Sequence, residues 1–318
     1  MKGFDAEFQN LDHYIRIITD RIWEGRRLQD IERYYSVDCA VETPMSVSFG
    51  VQPVIDGTQS TLLAFPDRRL LAEDVIVSGD ELGGFLSSHR ILSPMTHAGA
   101  GAFGPATSKP VFARTIADCV CRNNRIVHEW LVRDQSAIAR QTGQRDCDLA
   151  QRWLNERGGF HKAAMPRAPG YYQSQIDTDP QAQAYANAYA DCWGAAGPGS
   201  FLATHATDVI AATPGGEVRV GLAALQAFWG SVREALPDAQ FSVEHLVANV
   251  RPGRATALAL RWRATALHAG GNRYGKPSGK AIEVMGICHA QMQDDRIVRE
   301  WILMDDIAIW MQTLTVNQ

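Results

Sequence analysis

The chain has 318 residues, more than one hydrophobic core readily organises, so two domains are expected. Its composition, 46% hydrophobic and 21% charged, is that of a globular protein and excludes wholesale disorder. A formal net charge of −4, with no clustered basic face, argues against nucleic acid or an anionic membrane as partner. Arg261 and Arg263, on either side of Trp262, read as a solvated strand face.

The chain opens MKGFDAEFQNLDHY, with acids where a secretory signal has its apolar core, and no stretch nears the ~20 apolar residues of a membrane span. The cysteines Cys39, Cys119, Cys121, Cys147, Cys192 and Cys288 lack the CxxC spacing of zinc sites, and read as free thiols in a reducing cytoplasm. Leu11, Ile15, Ile18 and Ile22 recur at helical spacing and predict an amphipathic opening helix. Further on, GAGAFG (99–104) has the glycine spacing of a dinucleotide fingerprint, but PATSKP follows where a helix is required, so it reads as a loop between strands. No GKS or GKT phosphate loop, HExxH or Ser-His-Asp order is found, so no cofactor and no metal is expected.

At 125–134 stands RIVHEWLVRD, and 171 residues later (position 296 less position 125) stands RIVREWILMD. The same shift, without a gap, matches Gly50 to Gly221, Pro66-Asp67 to Pro237-Asp238, Glu73 to Glu244, Arg90 to Arg261, His97 to His268 and Lys109 to Lys280. Upstream, a shift of 170 pairs Trp23 with Trp193 and Thr43-Pro44 with Thr213-Pro214. The chain therefore reads as a tandem duplication: copy one over 1–143, a linker with a predicted helix (CDLAQRWLNER) and a GGFHKAAMPRAPG loop over 144–177, and copy two over 178–318.

Copy two is the clearer. Asp179-Pro180 caps a helix carrying Tyr185, Tyr189, Cys192 and Trp193. Leu222, Leu225, Phe228, Val232 and Leu236 mark a second long helix, ended by Pro237. The period then changes to two: Phe241, Val243 and Val247 alternate, a turn falls at RPGR, and ATALALRWRATALHA, AIEVMGICHAQM and RIVREWILMD form a β-meander before a short helix, DIAIWMQ. Helices followed by antiparallel strands make each copy an α+β domain, its curved sheet wrapped around helices as a half-open cone. An open sheet leaves an outer face to cover, so the two copies are expected to pair as an intramolecular pseudo-dimer, with a further homodimer left open.

HAGG (268–271), PSGK (277–280), MGI (285–287), DRIVREW and Asp305 together resemble the signature of SnoaL-like polyketide cyclases, of the nuclear transport factor 2-like superfamily. The resemblance spans nearly all of copy two and, more faintly, copy one. It implies a cone with an internal pocket, dimerisation through the outer sheet face, and cofactor-free aldol chemistry with an aspartate base. By position that base is Asp305 or, in copy one, Asp134, and the partner histidine is His289, replaced by Asp118 in copy one. Copy one departs further, with GPATSK at the turn and Asn124 before RIV, which places activity in copy two ahead of copy one.

Strand alternation puts Trp301 and Asp305 on one face and Glu300 on the other. With the indole taken to face the cone interior, Asp305 becomes a desolvated base, while Glu129 and Glu300 serve the outer surface. Asp134 and Asp305 equally fit as caps of the closing helices. His97 and His268, ending long strands, are candidate acids or orienting groups. Trp301, Trp262, Trp130, Tyr189 and Trp193 are candidate substrate contacts, with core packing the competing role. The function expected is a cofactor-independent cyclase or isomerase acting on a small apolar carbonyl compound. The alternatives are a non-catalytic binding module and a hydrolase or dehydratase on the same scaffold.

Overall fold

A computed structural model describes residues 1–162 and 176–315, so the linker loop beyond Lys162 lies outside the described residues. Packing divides the chain into two compact units, one built on Met1–Arg145 and the other on Asp146–Phe160 together with the chain from 176 onward.

The first unit runs α1 (Leu11–Thr19), α2 (Ile31–Tyr34), β1 (Tyr35–Glu42), β2 (Val47–Phe49), α3 (Gln52–Ala64), β3 (Leu71–Asp80), β4 (Gly84–Thr96), β5 (Pro110–Arg122), β6 (Arg125–Arg133) and α4 (Gln135–Thr142). The second begins with α5 (Asp146–Arg157), which packs on the closing helix α8 (Asp306–Leu314). Between them come α6 (Pro180–Trp193), β7 (His205–Thr213), β8 (Glu217–Val220), α7 (Leu222–Ala235), β9 (Gln240–Asn249), β10 (Thr256–Leu267), β11 (Ala281–Gln293) and β12 (Arg296–Met304). The sheets have the same order, β2-β1-β6-β5-β4-β3 and β8-β7-β12-β11-β10-β9.

Local chemistry explains the punctuation. The Asn10 side chain accepts from His13 N (2.8 Å) to start α1, and Asp179 accepts from Gln181 N (2.8 Å) and Ala182 N (3.0 Å) to start α6. The tight β5–β6 turn holds Asn123 and Asn124 at φ 49° and 63°, and the β11–β12 turn holds Asp294 and Asp295 at 49° and 60°. Two left-handed residues in succession suit the twist of a two-residue hairpin, and Asn and Asp tolerate that region best after glycine. In the GAGAFG loop, Gly99 N–H bonds Ala64 O at the end of α3, and a Cβ at Gly99 would stand 1.9 Å from Leu63 O. Close approach of two backbones accounts for that glycine.

Two expectations are corrected. Each sheet is mixed, not antiparallel throughout, because β1 runs parallel to β6 and β7 parallel to β12. The return strands were missed because each pairs with a strand far along the chain and so carries no hairpin signal. Arg261 is also not solvated: it is buried and paired with Glu244 (3.3 Å), which Arg263 reaches at 2.8 Å. Glu244 sits at a bulge of β9 against β10, and Glu73 sits at the matching bulge of β3 against β4 and pairs with Arg90 and Arg114.

Candidate functional site

The helices cover one face of each sheet, and cross-strand register fixes which residues look into that interior. In the first unit Tyr14, Ile15, Ile18 and Ile22 from the α1 region pack with Val75, Ala117, Cys119 and Cys121. Cys119 pairs across to Glu129 and Ala117 to Leu131, so the inward residues of β6 are Glu129, Leu131 and Arg133, while His128, Trp130 and Val132 face out. In the second unit Cys288 pairs with Ile302 and Ala290 with Glu300, so Glu300, Ile302 and Met304 face in and Trp301 faces out.

The expected facing of the last strand is thus reversed. Glu129 accepts a hydrogen bond from Tyr35 Oη (3.1 Å). Glu300 accepts from Tyr185 Oη and Tyr189 Oη (2.7 Å each) and lies 3.3 Å from His205 Nε2. Alternation separates Trp from Glu but does not say which faces inward. Apolar character favours the indole, yet tyrosines on the opening helix, or at the start of β1, reach across the interior and give the carboxylate its partners.

Asp134 and Asp305 are buried helix caps: Asp134 accepts from Ala137 N (3.0 Å), and Asp305 from Ile307 N (3.0 Å) and Ala308 N (3.3 Å). His97 and His268 are buried and pin the loops that follow their strands, through Nδ1 to Thr107 Oγ1 (3.1 Å) and to Ser278 Oγ (3.0 Å). His289 lies cross-strand from Trp301 on the outer face, and Asp118 lies likewise beside Trp130, taking the Ser88 hydroxyl at 2.5 Å. Trp130 stacks on His128 (3.9 Å between centroids) on that face. Of the candidates, only Tyr189, Trp193 and Trp262 come together inside, in the second unit.

There they belong to a filled aromatic core. Trp193 meets Trp229 and Trp262 (5.6 Å each), Tyr189 meets Trp229 (5.4 Å), and Phe241 covers Trp262 (5.8 Å). Trp262 lies flat on β11 because residue 286 is glycine; a Cβ there would stand 2.1 Å from the indole. Its Nε1 donates to Cys288 Sγ (3.3 Å), while the Nε1 groups of Trp193 and Trp229 have no acceptor among the described residues.

The first unit keeps the same register with other side chains. Val75 pairs with His89 where Leu246 pairs with Leu260, and Ile91 with Thr115 where Trp262 pairs with Gly286. At the shift of 171, Ser87, His89 and Ser93 on the inner face of β4 replace Leu258, Leu260 and Ala264, Arg133 replaces Met304, and Thr58 replaces Trp229. His89 Nε2 and Ser93 Oγ are buried with no hydrogen-bond partner among the described residues, and Ser87 Oγ, also buried, has only the weak Cys121 thiol beside it. Burial, reinforced by Arg16 and Arg90 and opposed by Asp74, presses the His89 pKa down to about 3, so the ring is neutral at physiological pH. Burial pushes Glu129 up to about 7, against the opposing effects of the Tyr35 hydroxyl and Arg133. These inward polar groups form no motif within either copy and so carry no local signal in the sequence. Laying one copy on the other and asking where polarity changes on the inner face would have found them.

A family model described as SnoaL-like polyketide cyclase matches residues 14–142 and again 183–313. The chain belongs to that family. Each unit is one SnoaL-like domain with its curved sheet and helices. Among solved structures, a SnoaL-like polyketide cyclase from Agrobacterium tumefaciens str. C58 is 21% identical, covering 42% of this chain and 99% of its own, with a TM-score of 0.35. IdmH from Streptomyces antibioticus is 19% identical over 42% of this chain and 97% of its own (TM-score 0.35). A SnoaL-like protein from Jannaschia sp. CCS1 is 14% identical over 45% of this chain and 100% of its own (TM-score 0.36). No curated protein matches the chain. In this SnoaL-like chain no described helix is long and apolar enough to cross a membrane, and all six cysteines are free of disulfides.

Proposed function

We propose that the first SnoaL-like unit carries the chemistry: a cofactor-independent acid–base reaction at carbon, an aldol cyclisation or an isomerisation, on a small apolar carbonyl compound held inside the cone. The observation that carries this reading is the polar row of β4, in which the buried polar atoms His89 Nε2 and Ser93 Oγ find no partner among the described residues and Ser87 has only the Cys121 thiol. A buried polar group left without a partner costs roughly 1–3 kcal/mol, and such a cost persists where a ligand supplies the missing bond.

Roles follow from charge state. Glu129, with its pKa near 7, takes a proton from the carbon beside the carbonyl. Neutral His89 donates its N–H to the carbonyl oxygen as negative charge develops there. The enolate then recovers the proton at another carbon, which is isomerisation, or its carbon attacks a second carbonyl, and the alkoxide formed takes the proton from Glu129, which is aldol closure.

The filled interior of the second unit favours a second role for that copy, a non-catalytic one that supports the first. The test uses a 1,3-dicarbonyl probe, 2-acetylcyclohexanone, whose carbon-bound hydrogen exchanges with D2O and is followed by NMR. Catalysed exchange by the wild-type chain that falls at least tenfold in H89L and in E129Q supports the reading. Exchange no faster than buffer, or unchanged in both variants, ends it.

A further inference from the structure

The first unit buries one cation that its own residues do not answer. Arg68 stands in the turn between α3 and β3, is 6% exposed, and its guanidinium makes no hydrogen bond or ion pair among the described residues. The acid nearest in its electrostatic surroundings is Glu24, whose carboxylate is already engaged by Leu70 N–H (2.6 Å) and Arg69 Nε (3.3 Å). The other charges facing Arg68 are Arg133 and Arg26, both cations, and burial together with these neighbours presses its pKa well below the ordinary arginine range. Arg26 spends its own donors on the carbonyls of Pro66 (2.9 Å) and Arg68 (3.0 Å).

The turn is tied to the polar row described above. Arg69 N–H bonds Pro94 O (3.1 Å), next to Ser93, and Phe65 lies against the His97 ring (5.2 Å) and Phe103 (5.9 Å). At the shift of 171 the second unit has Ala239 and Met304 in place of Arg68 and Arg133, so the charge, like the polar row, belongs to one copy alone. An unpaired charge so little exposed is costly to keep, and the second copy has none at that place.

We propose that Arg68, with Arg133 beside it, forms a carboxylate-binding subsite inside the first unit, so that the substrate is an apolar carbonyl compound bearing an ionised carboxylate. The planar guanidinium fork matches a carboxylate in two parallel hydrogen bonds. The inference rests on the first unit being the site of chemistry, but it is tested by binding, independently of turnover.

The probes are 2-naphthoate and its neutral counterpart 2-naphthamide, titrated calorimetrically against the full chain. The wild type is expected to bind naphthoate at least tenfold tighter than naphthamide, and R68Q to lose that preference while holding naphthamide as before. R68K, which keeps the charge but not the fork, should fall between. Without ligand, R68Q should melt no lower than the wild type, since a repelled cation has been removed. Equal affinity for the two probes, binding of neither, or a preference that survives R68Q overturns the proposal. So does a large loss of folding in both R68Q and R68K, which would make Arg68 structural. Naphthoate preference without carbon-acid exchange would retain the subsite and remove the reaction; exchange without preference would do the reverse.

Discussion

The two units share strand order, register and bulges, and differ almost wholly in what their inner faces carry. Trp193, Trp229 and Trp262 fill the second, while the first presents Ser87, His89, Ser93 and Arg133 where the second has Leu258, Leu260, Ala264 and Met304. Folding constrains the pattern of inward and outward residues and the turn chemistry, which both copies keep. It constrains much less which inward residues pack and which bind. Duplication let one copy become a well-filled core and left the other with buried polarity that weakens it as a scaffold and equips it as a site.

The largest effect expected lies in the filled copy. Trp229→Ala should destabilise the second unit by about 3–5 kcal/mol, because close-packed neighbours cannot collapse into the space of an indole. Thr58→Ala, the same position in the first unit, should cost about 1 kcal/mol. Urea unfolding followed separately for each unit measures both. Equal costs would mean that the interiors are filled alike.

The converse change makes the first copy resemble the second. The triple variant S87L/H89L/S93A should abolish carbon-acid exchange and raise the stability of the first unit by roughly 1–3 kcal/mol, the penalty of unpartnered polar groups less some overpacking. His89 also sets a pH signature. Its folded pKa, near 3, lies below the unfolded value of 6.5, so its stabilising contribution is complete above pH 6.5 and is lost as pH falls toward 3. The triple variant should lose that part of the acid sensitivity. An unaltered acid limb would show that His89 is not buried as a neutral ring.

Glu129 gives the opposite slope. Its folded pKa, about 7, lies above the ordinary glutamate value of 4.5, so the folded state holds a proton that the unfolded chain releases between those values. Stability of the first unit should fall as pH rises from about 4.5 to 7 and level off beyond. E129Q should flatten that stretch and exceed the wild type above pH 7 by about 3 kcal/mol. Exchange by the wild type should rise with pH through 7. A rate independent of pH across that range would remove Glu129 as the base.

Much of this comparison was legible in the sequence, and the part that was not has a physical reason. The duplication, the α6 cap at Asp179, the meander from β9 to β12 and the closing helices follow from spacing, turn residues and period, all local signals. The parallel return strands β1 and β7 were not read, because pairing with β6 and β12 is settled far along the chain. The inward face of the last strand was misassigned for a related reason: Glu300 looks like a surface residue until Tyr185, Tyr189 and His205, 95 to 115 residues away, supply its hydrogen bonds. Asp305 stood out because both copies keep an acid before the closing helix, a regularity that a helix N-terminus explains without chemistry.

That last point yields the smallest predicted effect and the sharpest separation of roles. Asp305 accepts from Ile307 N and Ala308 N, and Asp134 from Ala137 N, so each satisfies donors that the first helical turn leaves open. Replacement by alanine should cost about 1 kcal/mol in the unit concerned, and replacement by asparagine, which caps nearly as well, only a few tenths. Neither D305N nor D134N should change the carbon-acid exchange rate, since both groups hold backbone and neither belongs to the polar row of β4. Loss of exchange in D305N with an unchanged melting temperature would transfer the chemistry to the second unit, and the contrast between a filled copy and a working copy would fail with it.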